Sequence, residues 1–291
     1  MAHNQRISDY FGGVAVTPED IEYFRGIVND PKALIKFLAD TDIALAVLEA
    51  FANGTSETRG ILVEVLTTPD AVFRLAKRNK GEAVMSFIQD LPHAEQQVTI
   101  LSAPEVVWIL TENGMAGDIL TLVSNLPLKE QQVKVLSTPE AVFGLAKNGK
   151  INEVFSLIQG LRQAQQFAVL SASNTVYGLA DNLMGDQIVS LLSLVQSFSK
   201  PEQRANILAA PYAVFGLVQN GQVEEVIDLI RNLPQAEQQA TVLTAPHVAM
   251  TLIANGQSEV LTSIFEHSPQ KVFMPELSIK QPIPEQAGTL H

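Results

Sequence analysis

The residues best suited to chemistry in this sequence are a glycine-rich segment, five histidines and a small acidic cluster. The segment 144–151, GLAKNGKI, nearly matches the phosphate-binding pattern G-x-x-x-x-G-K-[ST]. Ile151 stands where that pattern requires a hydroxyl to ligate magnesium. The segment also lies within and just after a predicted helix, whereas a phosphate-binding loop joins a strand to a helix. We therefore do not interpret it as a nucleotide site.

The histidines and carboxylates lack the spacing of metal-binding or catalytic sets. No two of the five histidines are spaced as metal ligands, and neither H-E-x-x-H nor G-x-S-x-G occurs. Glu224, Glu225 and Asp228 could transfer protons, but an exposed helix face explains them more simply. The chain has no cysteine, which excludes disulfides, cysteine-based zinc sites and a cysteine nucleophile. We predict no catalytic residue, no metal and no cofactor, with an unrecognised groove enzyme left as an alternative.

Composition narrows the classes of partner. Of 291 residues, 46% are hydrophobic and 17% charged, so the chain can bury a large apolar area. The net charge of −12 repels phosphate backbones and anionic lipid headgroups, which makes nucleic acid and membranes poor partners. The amino-terminal residues have no apolar stretch typical of a signal peptide, and no window approaches a membrane span. The absence of cysteine fits a cytoplasmic location.

The elements that must position any site are repeats. The segments LTTPDAVFRLAK from Leu66, LSTPEAVFGLAK from Leu136 and LAAPYAVFGLVQ from Leu208 align without gaps. The leucines that open units 1–6 are Leu66, Leu101, Leu136, Leu170, Leu208 and Leu243. Spacings of 34–38 residues with helical apolar periodicity predict an all-α, right-handed superhelical α-solenoid of stacked helical repeats.

Each unit is predicted to contain a helix, a turn, a second helix, a kink and a short third helix. Counting starts at the proline three residues after the leucine, or at Ser173 in unit 4, as position zero. We predict that this proline is the first helical residue, where its φ is preset and its missing N–H costs nothing. Asn-Gly pairs such as Asn148-Gly149 are predicted to end the first helix in a left-handed conformation. A second proline, as at Pro127, is predicted to kink or start the third helix.

The regions that flank the regular units are predicted separately. Residues 1–66 form an irregular helical N-terminal cap, with helix boundaries at Thr17-Pro18, Pro31 and Asn53-Gly54. Residues 67–267 form about six repeats. Residues 268–291 are proline-rich and predicted to be an extended or disordered tail, a candidate export signal.

Positions three, six and seven are apolar in nearly every unit and are predicted to form the core stripe. Position four holds a column that suggests a stacking ladder, but we predict that it fills the seam between units because it flanks that stripe. Its members are Phe73, Trp108, Phe143, Tyr177, Phe215 and Met250. A regular column of paired glutamines, such as Gln131 and Gln132, is predicted to form hydrogen bonds between repeats.

Positions one, five and eight form a variable stripe that we predict to be an exposed, partner-binding wall. Its candidate contact residues are Glu105, Ile109, Glu112, Glu140, Lys147, Asn174, Asp181, Tyr212, Gln219 and His247. Glycine costs about 1 kcal/mol against alanine in mid-helix. Gly144, Gly178 and Gly216 at position five therefore predict a close approach to the backbone. Either a ligand or a packing neighbour could make that approach.

The units resemble the repeats of transcription activator-like effectors. The resemblance is carried by PEAV from Pro139 and APEVV from Ala103, each followed by Asn-Gly, and by Leu126-Pro127. In that family the Asn-Gly loop contacts a base, and basic residues just after it hold the phosphate backbone. Here the unit is one residue longer, and the positions four beyond the asparagine are not basic: Gly117, Asn152, Glu224 and Glu259. The resemblance implies a helical solenoid and a bacterial effector in a host cytosol, but it does not carry over DNA binding.

The function predicted from the sequence is that of a non-enzymatic scaffold or adaptor, a monomer that binds another protein. A partner with a basic surface would suit the acidic chain. Two alternatives stay open: a nucleic-acid binder of the activator-like kind, and an enzyme with a site in the groove.

Overall fold

The structure is a computed structural model that describes residues 17–245 and 247–266. Every regular element in these residues is a helix, which confirms the predicted all-α class. The first 16 residues of the predicted cap, position zero of unit 6, and the predicted tail with its export signal lie outside the described residues.

Each unit contributes its helices in the predicted order. The first helices of units 1–6 are Pro69–Leu75, Val106–Leu110, Ala141–Leu145, Thr175–Asn182, Ala213–Gln219 and Val248–Ala254. The second helices are Gly81–Gln89, Ala116–Ser124, Ile151–Gln159, Asp186–Gln196, Val223–Arg231 and Ser258–Glu266. The third helices of units 1–5 are Ala94–Leu101, Lys129–Leu136, Gln163–Leu170, Pro201–Ala209 and Ala236–Thr244. First helices contact one another in chain order, and so do third helices. The right-handed superhelix stays a prediction.

The N-terminal segment, residues 17–66, contains four helices. They are Pro18–Val28, Pro31–Phe37, Thr41–Ala52 and Ser56–Leu66. The last three pack in order on the first, second and third helices of unit 1. Packing therefore extends the repeat pattern back to Pro31, within the stretch that sequence describes only as an irregular cap.

The Asn-Gly pairs end the first helices as predicted. Gly114, Gly149, Gly221 and Gly256 have φ between +79° and +89°, a conformation that glycine adopts without steric cost. Each preceding asparagine uses its side chain to cap its own helix. The Nδ2 of Asn148, for example, donates to the carbonyl of Gly144 at 2.9 Å. In units 1–3 five-residue π-helical turns join the first and second helices.

Proline begins the first helix in unit 1. It does not begin the first helix in units 2, 3 and 5, the other units in which the structure describes a proline at position zero. The helices of units 2, 3 and 5 begin two residues after it, at Val106, Ala141 and Ala213. The prediction of a helix-opening proline is therefore wrong in these units. The proline is instead the second residue of a four-residue turn. Proline's fixed φ suits both places, so the residue type alone cannot distinguish them.

The predicted core stripe is confirmed by burial. Val142, Leu145 and Ala146 are buried in unit 3, and the same positions are buried in unit 5. The glutamine column also bonds as predicted. The Nε2 of Gln131 donates to Glu95 of the preceding unit at 2.7 Å, and equivalent bonds link units 2 and 3 and units 4 and 5. The second glutamine of each pair donates to carbonyls at the end of the second helix, as Gln132 does.

The segment Val106–Ser124 has the length and apolar composition of a membrane span, with a mean hydropathy of 1.3. It is, however, two helices that meet at Asn113 and Gly114, where the backbone leaves helical geometry. Half of the segment is buried inside the structure. Packing between units thus accounts for its apolar residues, since core helices of many proteins have the same composition.

Candidate functional site

Two rows of side chains run along the first helices and border a groove. The position-one row consists of Asp70, Glu105, Glu140, Asn174, Tyr212 and His247. The aromatic row, at position four, consists of Phe73, Trp108, Phe143, Tyr177 and Phe215, and ends at Met250. Because the first helices are neighbours in chain order, each row passes from unit to unit without a gap.

The aromatic row is a stack of half-exposed rings. The Trp108 and Phe143 centroids are 5.3 Å apart at an interplanar angle of 15°, and those of Phe143 and Tyr177 are 5.4 Å apart at 20°. Tyr177 and Phe215 follow at 6.1 Å. The ends of the row are open, with Phe73 47% and Met250 67% exposed. The prediction that position four fills the seam is therefore right in part: the rings pack against one another between units, and each keeps part of its surface exposed.

Position five lies in the seam itself, which corrects the predicted exposed wall. A Cβ on Gly178 would lie 2.6 Å from the Cα of Phe143, and one on Gly216 would lie 3.2 Å from the Cα of Tyr177. The close approach that these glycines predict is thus made by the first helix of the preceding unit. Ile109, a predicted contact residue, is also at position five and is only 6% exposed. The prediction that Ile109 is an exposed contact residue is wrong, because the sequence pattern does not show how each helix is rotated against its neighbour.

Position eight remains on the surface, as predicted. Glu112, Lys147, Asp181 and Gln219 are all exposed. Two of them contact each other, since Lys147 Nζ lies 3.2 Å from Glu112 Oε1. The same ammonium lies 4.7 Å from the centre of the Trp108 ring, and Lys77 Nζ lies 5.3 Å from the centre of the Phe73 ring. The two rings at this end of the aromatic row therefore already accept cationic groups from this chain.

The position-one row begins the first helices of units 2–6 in an unusual way. Its five members there have positive φ, although none is glycine: Glu105, Glu140, Asn174, Tyr212 and His247. In each turn the residue after position one donates its N–H to the carbonyl three residues earlier, at 3.1–3.3 Å. In units 2, 3 and 5, proline at the second place and positive φ at the third define a type II turn.

Two parts of the groove are deep enough to form cavities. One of about 220 Å³ is lined by Glu140, Phe143, Asn174, Tyr177, Tyr212 and Phe215. The other, of about 310 Å³, is lined by Asp70, Phe73, Glu105, Trp108 and Ile109. Both are bordered by the same two rows in different units. Within the described residues, no hydrogen bond or ion pair engages the carboxylates of Glu105 and Glu140.

A larger cavity, of about 700 Å³, lies where the N-terminal segment meets unit 1. Two of its cationic side chains are already engaged. Arg78 Nη1 donates to the carbonyl of Ala39 and to Thr41 Oγ1, both at 2.6 Å, and Lys80 Nζ lies 3.3 Å from Asp42. These bonds join the segment to the array, so we interpret the cavity as part of a structural joint.

The groove combines residues that sequence analysis proposed with others that it assigned elsewhere. The sequence predicts that the position-one and position-eight residues lie on the surface, whereas it predicts that the aromatic row fills the seam. The sequence signal that indicates an aromatic row at the groove is the recurrence of one large ring at position four in five consecutive units. Among the described residues, no group of three histidine or carboxylate side chains could hold a metal ion.

Comparison with protein-family models, curated proteins and solved structures finds no match to this chain. The resemblance to activator-like repeats therefore stays a prediction, and the groove's geometry must carry the functional argument.

Proposed function

We propose that this protein is a non-enzymatic scaffold whose groove binds an extended, basic segment of another protein. The observation that carries the proposal is a stacked row of partly exposed rings bordered by the carboxylates of Glu105 and Glu140, which have no partner among the described residues. A cation over an aromatic face gains about 0.5–1 kcal/mol at an exposed site and about 2 kcal/mol where water is excluded. Carboxylates beside the rings add attraction for the same groups.

The chain's own lysines support a cationic ligand. Lys77 and Lys147 place their ammonium groups over Phe73 and Trp108. The rings of Phe143, Tyr177 and Phe215, further along the row, have no such partner among the described residues. These rings, beside Glu140, are where we place the strongest contacts with a partner's arginine or lysine side chains.

The spacing of the row supports an extended ligand. Neighbouring rings are 5.3–6.1 Å apart along three steps. Alternate side chains of an extended strand are about 6.6 Å apart, because each residue rises about 3.3 Å. A segment with a basic residue at every second position would therefore keep nearly in step with the rings. The net charge of −12 would speed its approach.

The test uses Trp108, the chain's single tryptophan, as a reporter inside the groove. Its fluorescence is followed while a twelve-residue peptide of alternating arginine and serine is added at 20 mM salt. We expect a saturable change whose apparent Kd weakens about tenfold at 300 mM salt, because exposed charge pairs are screened. Tyr177→Ala should weaken binding, whereas Glu225→Gln, which removes a carboxylate from a second helix, should not.

Two comparison ligands complete the test. A peptide of alternating glutamate and serine, and a twelve-nucleotide single-stranded DNA, should leave the fluorescence unchanged because both are anionic. An equal response to the glutamate peptide, or none to the arginine peptide, would overturn the proposal. A response to the DNA alone would favour the nucleic-acid alternative, in which bases stack on the rings.

A further inference from the structure

The position-one residues of units 2–6 are held in a backbone conformation that most of them disfavour. Their φ values are +59° to +72°. The third place of a type II turn is normally glycine or asparagine, because a Cβ at positive φ meets the neighbouring backbone. Asn174 meets this preference, but the other four residues do not. Such outliers cluster where function requires them.

Glycine is available to this chain and is used elsewhere for the same purpose. At the other end of the first helix, Gly114, Gly149, Gly221 and Gly256 supply the positive φ that ends it. In no described unit does glycine occupy position one. The chain therefore keeps a side chain at this position in spite of the backbone conformation, unit after unit.

These side chains are placed where a ligand would meet them. Glu140, Asn174 and Tyr212 line one cavity together with three rings of the aromatic row. The Oδ1 of Asn174 is buried and has no hydrogen-bond partner within the described part of the chain. A buried acceptor without a donor is rare in folded proteins. A ligand N–H donor would satisfy it.

The row also changes its chemistry from one end to the other. Units 2 and 3 present the carboxylates of Glu105 and Glu140. Units 5 and 6 present Tyr212 and His247, whose rings are stacked at 4.6 Å and 17°. The aromatic row varies much less over the same units. A variable row beside a nearly constant one is the arrangement by which repeats can share one binding mode and differ in selectivity.

We infer that Glu105, Glu140, Asn174, Tyr212 and His247 are the specificity-determining residues of the groove. The carboxylates select cationic side chains of the ligand, Asn174 accepts a hydrogen bond from it, and the Tyr212–His247 stack selects a planar group. The identity of the ligand rests on the proposed function. The role of the turn residues is tested separately from it.

The first measurement compares the same change at two glutamates, one partly buried at position one and one exposed on a second helix. Glu140→Gly removes a Cβ at positive φ, whereas Glu225→Gly acts within the helix Val223–Arg231. Both change the net charge equally. We expect Glu140→Gly to raise Tm by about 1–4 °C and Glu225→Gly to lower it by a similar amount. A lower Tm for Glu140→Gly would overturn the inference, because a glutamate at positive φ would then not destabilise the fold.

The second measurement asks what the side chains select. Peptides are selected from a random twelve-residue phage library on the wild-type chain, and each is then measured against Glu140→Gly, Tyr212→Gly and Glu225→Gly. We expect the first two variants to weaken binding about three- to fivefold each, and the third to leave it unchanged. Equal binding to all three variants, or no selected peptide at all, would overturn the inference.

The composition of the selected peptides keeps the two proposals apart. Basic peptides that depend on position one support both. Neutral or acidic peptides that depend on position one would overturn both the basic-segment function and the selection of cationic groups by the carboxylates, and would support only the placement of the specificity residues at position one. Basic peptides that bind all variants equally would support the function and overturn the row.

Discussion

The N-terminal segment and units 2–6 start their helices in different ways. In the segment, side chains cap the helices: Thr17, Asp30, Asp40 and Thr55 each accept a backbone N–H, at 2.9–3.3 Å. In units 2–6 no side chain caps the first helix, and a turn with positive φ precedes it. A capping side chain accepts a hydrogen bond from the backbone N–H of its own helix. In a turn, a backbone carbonyl accepts the N–H at the helix start instead. The side chains of the later units thus stay free to face the groove.

The two regions also use helical glycine differently. Gly60, in the helix Ser56–Leu66, has open space around the position of a Cβ. Gly178 has the backbone of Phe143 there. The first helices of units 3 and 4, which carry stacked rings, therefore pack closely at Gly178, whereas the helix Ser56–Leu66 has no such contact at Gly60.

The largest predicted effect tests this difference in packing. Gly178→Ala should lower the free energy of unfolding by about 1–3 kcal/mol, because the neighbouring helix must shift. Gly60→Ala should raise it by about 0.5–1 kcal/mol, since alanine restricts the unfolded chain and meets nothing in the fold. Urea unfolding followed by circular dichroism measures both. Stabilisation by Gly178→Ala would contradict the close seam.

The next effect separates the two kinds of helix start. Asp30→Ala removes the acceptor for the N–H of Lys32 and should cost about 1 kcal/mol of unfolding free energy. Glu105→Ala removes a side chain that caps nothing, and alanine has the same Cβ at positive φ, so the change should stay within about 0.5 kcal/mol. Urea titrations of the two variants side by side are the measurement. Equal losses would mean that the two kinds of start do not differ.

The smallest effect concerns lysines that join neighbouring parts of the array. Lys147→Met removes both the ion pair with Glu112 and the ammonium over Trp108, and should cost about 0.5–1 kcal/mol. Lys80→Met removes only the exposed pair with Asp42 and should cost about 0–0.5 kcal/mol. Unfolding at low and high salt distinguishes them, because only the ring contact should survive screening. Tryptophan emission should shift for Lys147→Met alone.

The sequence by itself determined the features that depend on short-range chain physics. Helical class, repeat length and the Asn-Gly helix ends follow from periodicity and from the freedom of glycine at positive φ. The buried stripe at positions three, six and seven also follows, because those positions share one face of any helix. Each of these is a property of one unit alone.

Only the tertiary structure decided which surface is free. Positions four and five are about 100° apart around a helix. The rotation of each first helix against its neighbour therefore buries Gly178 and leaves the ring of Tyr177 partly exposed. The turn before each helix was equally undetermined, because proline has the same φ in a type II turn as at a helix start. Packing between units decides which of these locally equivalent arrangements forms, and the arrangement that forms creates the groove.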